Sequence, residues 1–178
     1  GIGWQILLDG QEITQFTYFQ HAGGIDLAPI SAELTYGLER IGKYLQDVDD
    51  VYQLKWSEDQ LYRDVRHEEE YQLSRYSFEL ADPELHRDLF DSALAEGWRV
   101  LKSPGGRTTL AAYDWCLKSS HAFNVLDARG AISVTERAGM ILGIRKLACA
   151  IAKAYAEAAD APEGEPETAE ASTEAARG

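Results

Sequence analysis

The first twenty residues alternate between apolar and polar positions, and this pattern predicts two antiparallel strands. Residues 4–8, WQILL, form the first strand, and Asp9-Gly10 after it is a strong signal for a two-residue hairpin. The second strand begins near Gln11 and ends near Gln20, and it mixes aromatic side chains with uncharged polar ones. A strand of this kind often has one face on a core and the other on a ligand, although a half-exposed sheet also explains it.

The next segment predicts a loop followed by a helix. Gly23-Gly24 and Pro29 are typical of a loop, and Ser31 can cap a helix that runs to about Gln46. Apolar residues at spacings of four, three and four form the stripe expected of that helix, and we expect the first three to point into the core. They are Leu34, Leu38, Ile41 and Leu45.

Helical patterns dominate the rest of the chain, after a short strand or loop at residues 49–57. Asp82-Pro83 provides a cap and a first-turn proline, Gly130 ends a helix, and Ser133 with Glu136 forms a capping box. The predicted helices run from Asp59 to about Phe78, from Asp82 to about Lys102, from Thr109 to Ala128, and from Ser133 to about Ala158.

These elements predict an α+β protein in three parts. Residues 1–57 hold the antiparallel sheet and its helix, residues 58–156 form an all-helical bundle, and residues 157–178 form an acidic tail. The tail has seven acidic residues against Arg177 and no large apolar side chain, so we expect it to be disordered. A solvated tail and a tail that docks on a partner are both compatible with this composition.

Composition narrows the classes of function. The net charge of −13 argues against a long basic face and thus against tight, sequence-independent nucleic-acid binding, although local arginine contacts are still possible. No apolar run reaches 18 residues, so we expect no membrane span. Cys116 and Cys149 lie in helical patterns without metal spacing, which favours reduced core thiols in a cytoplasmic protein.

The stretch AELTYGLERIGKYL, residues 32–45, is the best candidate for chemistry. The guanidinium of Arg40 could reach a polyphosphate lying over the sheet, and Gly37 removes a side chain where a flat ligand could approach. Glu12 and the acids of the helix could hold Mg²⁺ beside that phosphate. The alternative from the residues alone is that Glu39 and Arg40 form an ordinary surface pair.

The same stretch resembles motif 3 of class II aminoacyl-tRNA synthetases, which ends in Gly-apolar-Glu-Arg. The longer segment LDGQEITQFTYFQHAGGIDLAPISAELTYGLERIGKYLQ is similar to the α subunit of the bacterial heterotetrameric glycyl-tRNA synthetase. HAFNVLDARGAISVTERAGMILGIRKLA, residues 121–148, is similar to the helical C-terminal part of that subunit. The resemblance covers about residues 1–156, and it implies ATP-dependent activation of glycine and its ligation to tRNA(Gly).

The resemblance also implies roles for individual residues. Arg40 contacts the ATP γ-phosphate, the adenine lies near Gly37, and Glu12 and Gln15 lie near ATP and its Mg²⁺. The related alanyl enzymes carry an acid four residues before the glycine of the motif, and this acid binds the substrate amino group. Glu33 occupies that position here, while Thr17 and Thr35 stand where the alanyl enzymes have a smaller or apolar lining. We therefore expect the two threonines to fill the space that a β-carbon would need.

The resemblance implies partners as well as substrates. They are a β subunit, a second α subunit in an α₂β₂ enzyme, tRNA(Gly) and glycine. Neither motif 1 nor the motif 2 arginine is found in the chain, so we expect both upstream of Gly1 and expect the fragment alone to be inactive. Two alternatives stay open: a non-catalytic interaction module, and a class II synthetase for another amino acid.

Overall fold

A computed structural model describes residues 1–159 and shows a three-stranded antiparallel sheet followed by helices. The strands are β1 (Ile2–Leu8), β2 (Gln11–Ala22) and β3 (Ile25–Tyr36), with β2 in the centre. The helices are α1 (Leu38–Gln46), α2 (Tyr62–Arg75), α3 (Pro83–Leu101), α4 (Thr109–Ala128) and α5 (Val134–Ala159). Short 3₁₀ and π-helical turns cover Val51–Gln53 and Tyr76–Leu80. The predicted α+β class is confirmed.

The β1–β2 hairpin forms as predicted. Asp9 and Gly10 both have positive φ, at 48° and 82°, which is the combination that a type I′ turn requires. This turn matches the right-handed twist of the strands that it joins. It therefore fixes the pairing of β1 with β2 from the first residues beyond the turn, Leu8 opposite Gln11.

The predicted helix from Ser31 is wrong over its first half. Residues 31–36 belong to β3 and pair with residues 14–19 of β2, and α1 begins only at Leu38. The turn at Gly23-Gly24 returns the chain beside β2, so ladder hydrogen bonds outweigh the local helical spacing. Of the three residues predicted to point into the core, Leu34 and Leu38 are 56% and 71% exposed, and only Ile41 is half-buried.

Pro29 was predicted to mark a loop, yet it lies within β3. β3 is an edge strand, and its ladder with β2 is irregular between the Phe19–Ser31 and His21–Asp26 pairs. Proline is tolerated at an edge or a bulge because its nitrogen need not donate to a neighbouring strand there. The predicted loop is therefore part of a strand whose pairing with β2 is interrupted around Pro29.

The four helices beyond residue 58 follow the predicted bounds closely. The Asp82 side chain accepts a hydrogen bond from the Glu84 amide at 2.9 Å at the start of α3, and α4 spans the predicted Thr109–Ala128. The first predicted helix is shorter than expected, because α2 begins at Tyr62 and a π-helical turn replaces its end. Strong caps thus predict these bounds better than polar periodicity does.

The core lies between α3, α4 and α5 rather than under the sheet. Leu126 and Leu147 are fully buried there, and α3 approaches α5 closely at Gly97, where an added Cβ would lie 2.6 Å from Leu147 Cδ2. Burial raises the pKa of the Cys116 thiol, which keeps it protonated. Cys116 and Cys149 are both free thiols.

The tip of the β2–β3 hairpin contacts α5. A Cβ at Gly23 would collide with the Cβ of Ala152, and one at Gly24 would lie 3.6 Å from Cys149 Sγ. Because Gly23 has φ 60°, it also adopts a conformation that residues with a Cβ rarely accept. This contact connects the sheet to the helical bundle.

We expect Gly23→Ala to lower the free energy of unfolding by about 1–3 kcal/mol, through backbone strain and the collision with α5. Ala152→Gly should recover part of the loss, giving a coupling of about 1 kcal/mol in a urea-unfolding double-mutant cycle. Gly10→Ala is the matched control, since Gly10 also has positive φ but no atom within 4 Å of its added Cβ. A Gly23–Ala152 coupling no larger than that of Gly10 with Ala152 would show that the tip does not dock on α5.

The predicted capping box at the start of α5 is present. The Glu136 amide donates to Ser133 Oγ at 3.2 Å, and the Ser133 amide donates to Glu136 Oε2 at 2.7 Å. Hydrogen bonds from Ser133 and from Arg87 hold the pKa of Glu136 below its usual value. Because the folded-state pKa is lower than the unfolded one, ionised Glu136 stabilises the fold above the unfolded pKa, and the effect is lost as the pH falls through the folded value.

Glu136→Gln should therefore lower the unfolding temperature at pH 7 by about 2–4 °C. The difference from the parent chain should shrink below about pH 4.3, the ordinary glutamate value, as the carboxylate is protonated. Thermal unfolding followed by circular dichroism between pH 3 and pH 7 measures it. A difference that stays constant over that range would contradict the assigned cause.

Two sequence expectations concern the C-terminal part and the membrane. The last helix was predicted to end at about Ala158, and α5 ends at Ala159, so the first residues assigned to the tail, 157–159, belong to this helix. The rest of the predicted tail, 160–178, lies outside the described residues. Within residues 1–159, no helix combines the length and apolarity that crossing a bilayer requires.

Candidate active site

Two rows of side chains cross one face of the sheet. In the first row Thr17 of β2 lies opposite Glu33 of β3 and Gly3 of β1. In the second row Gln15 lies opposite Thr35 and Gln5. Residues two apart on a strand share a face, so both rows belong to the same side of the sheet. We call this side the polar face.

A bulge in β2 brings Glu12 to the polar face as well. Ile6 pairs with Thr14, but the next residue of β1, Leu7, pairs with Glu12, which leaves Ile13 as the extra residue. β1 keeps its regular alternation, so Leu7 points to the same side as Gln5. Glu12 therefore forms a third row with Leu7, beyond the row of Gln15.

Arg40 extends this series beyond the bulge. The Gly37 amide donates to the Ile13 carbonyl at 2.8 Å, which sets the start of α1 against the bulge. Arg40 Nη1 donates to the Glu12 carbonyl at 2.7 Å and lies 3.8 Å from Glu12 Oε1. The stem of Arg40 passes over Gly37, where an added Cβ would lie 3.4 Å from Arg40 Cδ. The guanidinium thus remains at the sheet and is half exposed.

Polar bonds help to position α1, which has no buried residue. Tyr44 Oη donates to the Leu8 carbonyl at 2.7 Å, and Gln46 Oε1 accepts from the Lys55 amide at 2.8 Å. Tyr62 of α2 donates to Glu39 Oε1 at 3.2 Å, and burial together with the Glu39 carboxylate raises the pKa of Tyr62. Glu39 and Arg40 therefore have separate partners, and the surface-pair interpretation is wrong.

The other side of the sheet is aromatic. Phe16 lies between Trp4 and Tyr18, with ring centroids 5.8 Å and 4.7 Å away. Leu34 and Tyr36 share this side, opposite Phe16 and Thr14. The partial alternation in β2 thus separates an aromatic side from a polar face. The aromatic side is not packed on a core, because Trp4, Leu34 and Tyr36 are all more than half exposed.

The residues predicted for the site converge on this polar face. Glu33 and Thr35 were predicted on a helix, where positions two apart lie about 200° apart around the axis. On β3 they share one side, beside Thr17 and Gln15. The correction of the helix to a strand therefore brings the predicted set together, as Glu12, Gln15, Thr17, Glu33, Thr35, Gly37 and Arg40.

The donor chemistry near Arg40 fits a magnesium ion that accompanies phosphate. Mg²⁺ usually takes one or two carboxylates together with substrate phosphate oxygens and water. Glu12 offers one half-buried carboxylate beside a guanidinium suited to phosphate. In the described part of the chain no group of three or more His, Cys, Asp or Glu could hold a metal, so Glu12 fits only a site that the substrate completes.

Comparison with known proteins places this geometry in a family. The family model described as glycyl-tRNA synthetase alpha subunit matches residues 1–160. The chain belongs to the glycyl-tRNA synthetase α subunit family. A glycine–tRNA ligase alpha subunit from Coprothermobacter proteolyticus is 55% identical over 155 residues, which are 87% of this chain and 52% of the relative. The chain thus spans about half the length of this curated relative.

Family membership confirms the resemblance found in residues 8–46 and 121–148. The structure adds two features of the site that the sequence did not predict. Gln5 is absent from the predicted set, although the register places it beside Gln15 on the polar face. Its signal in the sequence is weak: it is the one polar residue in the run from Trp4 to Leu8. Gly3 leaves the β1 end of the first row without a side chain.

Three arginines of the C-terminal part could meet a partner subunit or tRNA, or could form ordinary ion pairs within the chain: Arg129, Arg137 and Arg145. Arg129 donates to the carbonyls of Phe78 and Ala81, at 2.7 Å and 3.0 Å, and so fixes the π-helical turn to the end of α4. Arg137 pairs with Asp127 at 3.1 Å. Arg129 and Arg137 thus form contacts within the chain. That Arg145 meets a partner subunit or tRNA stays a prediction.

Proposed function

We propose that this chain supplies part of the site in which a glycine–tRNA ligase activates glycine with ATP and transfers it to tRNA(Gly). The observation that supports it most is the alignment of Glu33, the Gln15 row, Glu12 and Arg40 along one face of the sheet. A carboxylate stands at one end of this line and a guanidinium at the other. Glycine carries an ammonium and ATP a triphosphate, so the charges match the order of the two substrates.

The proposed glycine end consists of Glu33, Thr17 and Thr35. Within residues 1–159 Glu33 forms no ion pair with any basic side chain, so its carboxylate can accept an ammonium. Thr17 lies directly opposite it, and Thr35 lies next to it on the same side of β3. The two threonines would fill the space of a β-carbon, which excludes larger amino acids by collision.

The proposed ATP end consists of Gly37, Arg40, Glu12 and Gln15. The planar fork of Arg40 suits the γ-phosphate oxygens, and by the family resemblance the adenine would lie near Gly37, beside the stem of Arg40. Glu12, with Gln15 nearby, would hold Mg²⁺ through its carboxylate. When bound, that ion would neutralise charge on the phosphates.

In the proposed reaction, a carboxylate oxygen of glycine forms a bond to the α-phosphorus of ATP. The bond from that phosphorus to the bridging oxygen breaks, and pyrophosphate leaves with its electron pair. The nucleophile is already ionised at neutral pH, so no general base is needed. Glu33 orients the ammonium, and Arg40 stabilises the departing pyrophosphate, so catalysis rests on positioning and electrostatics. A ribose hydroxyl at the 3′ end of the tRNA then attacks the glycyl carbonyl carbon. The bond from that carbon to the phosphate oxygen breaks, AMP leaves with the electron pair, and the hydroxyl proton passes to solvent.

The partners proposed for the complete enzyme are a β subunit that supplies most tRNA contacts and a second α subunit. Support comes from the family and from the relative in Coprothermobacter proteolyticus, which is an alpha subunit. We propose a cytoplasmic location on the same basis.

Glycine-dependent ATP–pyrophosphate exchange tests this proposal. The segment of the Coprothermobacter subunit that matches this chain is replaced by it, and the hybrid subunit is assayed with and without the relative's β subunit. We expect exchange that requires glycine. A folded hybrid without exchange, next to an active unmodified relative, would instead favour a non-catalytic interaction module.

Thr35→Gly in the hybrid should admit alanine. Removing the side chain opens space for one methyl group, so kcat/KM for alanine relative to glycine should rise about 10- to 100-fold. Ala32→Gly is the matched control, because it also adds a glycine to β3 but lies on the aromatic side, opposite Tyr18. An amino-acid preference unchanged by Thr35→Gly, or changed equally by Ala32→Gly, would count against the pocket.

A further inference from the structure

We propose that the side-chain amide of Gln5 donates a hydrogen bond to the reacting centre, where the glycine carboxylate meets the α-phosphate of ATP. The inference rests on the proposed function and adds a residue of β1 to its site. It is based on the register of the three strands, which orders the polar face into successive rows.

The first step is the direction in which the substrates lie. Glu33 stands in the first row on β3, and Arg40 contacts Glu12 beyond the bulge of β2. If the ammonium binds Glu33 and the terminal phosphate binds Arg40, the substrates must run along the strands and cross from β3 towards β2. In the sheet of the described residues, one row lies between the row of Glu33 and the row of Glu12, and it consists of Gln5, Gln15 and Thr35.

The second step is the length of the substrates. Same-face residues of adjacent rows are about 6.6–6.8 Å apart along a strand. The ammonium and carboxylate of glycine are joined through a single carbon, so a glycine bound at Glu33 ends near the middle row. The α-phosphate must lie there too, because the carboxylate attacks it. The middle row therefore surrounds the atoms that react.

The third step is the place of Gln5 within that row. Neighbouring strands are about 4.7–4.9 Å apart, so Gln15 lies under the line of the substrates, with Thr35 on one side and Gln5 on the other. No group of the described chain forms a hydrogen bond with the Gln5 side chain, which is exposed. Gly3, its same-face neighbour on β1, has no side chain to shield it. The amide of Gln5 can thus turn towards the α-phosphate.

The chemistry suits an amide donor. Both the glycine carboxylate and the α-phosphate oxygens are anionic acceptors, and the phosphate gains a fifth ligand at the transition state. A neutral donor at that position stabilises the developing charge without the desolvation of a second cation. The hydrogen bond from Gln5 should therefore affect kcat more than KM.

Gln5→Leu in the hybrid enzyme tests the assignment, since leucine has a similar size but no hydrogen-bonding group. We expect kcat of glycine-dependent exchange to fall about 10- to 100-fold, with the KM for ATP changed less than threefold. The non-hydrolysable probe glycyl-sulfamoyl-adenosine, whose sulfamate replaces the phosphate, should bind about tenfold more weakly, while ATP alone binds as before.

Gln20→Leu is the control, because Gln20 is an exposed glutamine of β2 that the ladder leaves unpaired in the irregular stretch between Phe19 and His21. Gln5→Ala shows whether removal of the whole side chain has the same effect as Gln5→Leu. A thermal-unfolding curve for each variant shows whether it is folded. Folded Gln5 variants with unchanged kcat and probe affinity would overturn the proposal, as would an equal loss in Gln20→Leu. If the parent hybrid shows no glycine-dependent exchange, the proposed function fails instead, and probe binding still decides on Gln5.

Discussion

Arg40→Ala in the hybrid enzyme should lower kcat/KM for ATP in glycine-dependent exchange by about 10²- to 10³-fold, the usual loss when a charged donor to a transition state is removed. The guanidinium is held at the polar face by the Glu12 carbonyl at 2.7 Å. In the proposed complex it stabilises the γ-phosphate and the departing pyrophosphate. Its removal should therefore also abolish the preference for ATP over ADP in equilibrium binding.

The control for Arg40 separates phosphate binding from general charge. Arg66→Ala removes an equally basic side chain from α2, where it pairs only with Glu69 across an exposed helix surface. Arg40→Lys keeps the charge but not the fork, and should recover only part of the activity. If Arg40→Ala retained the preference for ATP over ADP, the guanidinium would not contact the terminal phosphate.

Glu33→Gln should lower kcat/KM for glycine by about 10- to 100-fold and leave the affinity for ATP unchanged. The loss corresponds to a hydrogen bond between charged groups, about 1.5–3 kcal/mol. Gln keeps the size of the side chain and its place opposite Thr17, so the change isolates the charge. Initial rates of exchange at varied glycine and varied ATP measure the two effects separately.

Asp26→Asn is the matched control for Glu33, since it neutralises another carboxylate of β3 that pairs with His21 near the hairpin tip. It should leave both kinetic parameters unchanged. An equal loss for glycine and for ATP in Glu33→Gln would indicate a disturbed sheet rather than a lost ammonium partner.

Local signals predicted the hairpin and the helices well. Asp9-Gly10 needs only its own two residues to specify a turn, and Asp82 or Ser133 caps a helix through a hydrogen bond to an amide two or three residues away. These interactions join residues that are close in the sequence, so they can be predicted from the sequence alone.

Long-range pairing explains what the sequence could not predict. Leu34, Leu38 and Leu45 have helical spacing, but residues 31–36 lie beside β2 because the Gly23-Gly24 turn returns them there. Local spacing does not reveal which backbone groups find partners across a ladder. The bulge at Ile13, which brings Glu12 to the polar face, is set by the same pairing.

The candidate site was predicted by residue type and family, not by geometry. Glu33 and Arg40 were named from the motif, while the side-by-side placement of Glu33, Thr17 and Thr35 became clear only from the register of β3. Gln5 lies on a third strand, and no spacing within β2 or β3 points to it. Site residues on a neighbouring strand can be identified only when the register of the sheet is known.

A crystal structure of the hybrid enzyme with glycine and a non-hydrolysable ATP analogue tests the polar face most directly. The expected complex has the γ-phosphate within hydrogen-bond distance of Arg40 and the glycine ammonium at Glu33, with the α-phosphate over the row of Gln15. A nucleotide bound on the aromatic side of the sheet, or Arg40 bound only to the Glu12 carbonyl with the phosphates elsewhere, would contradict it.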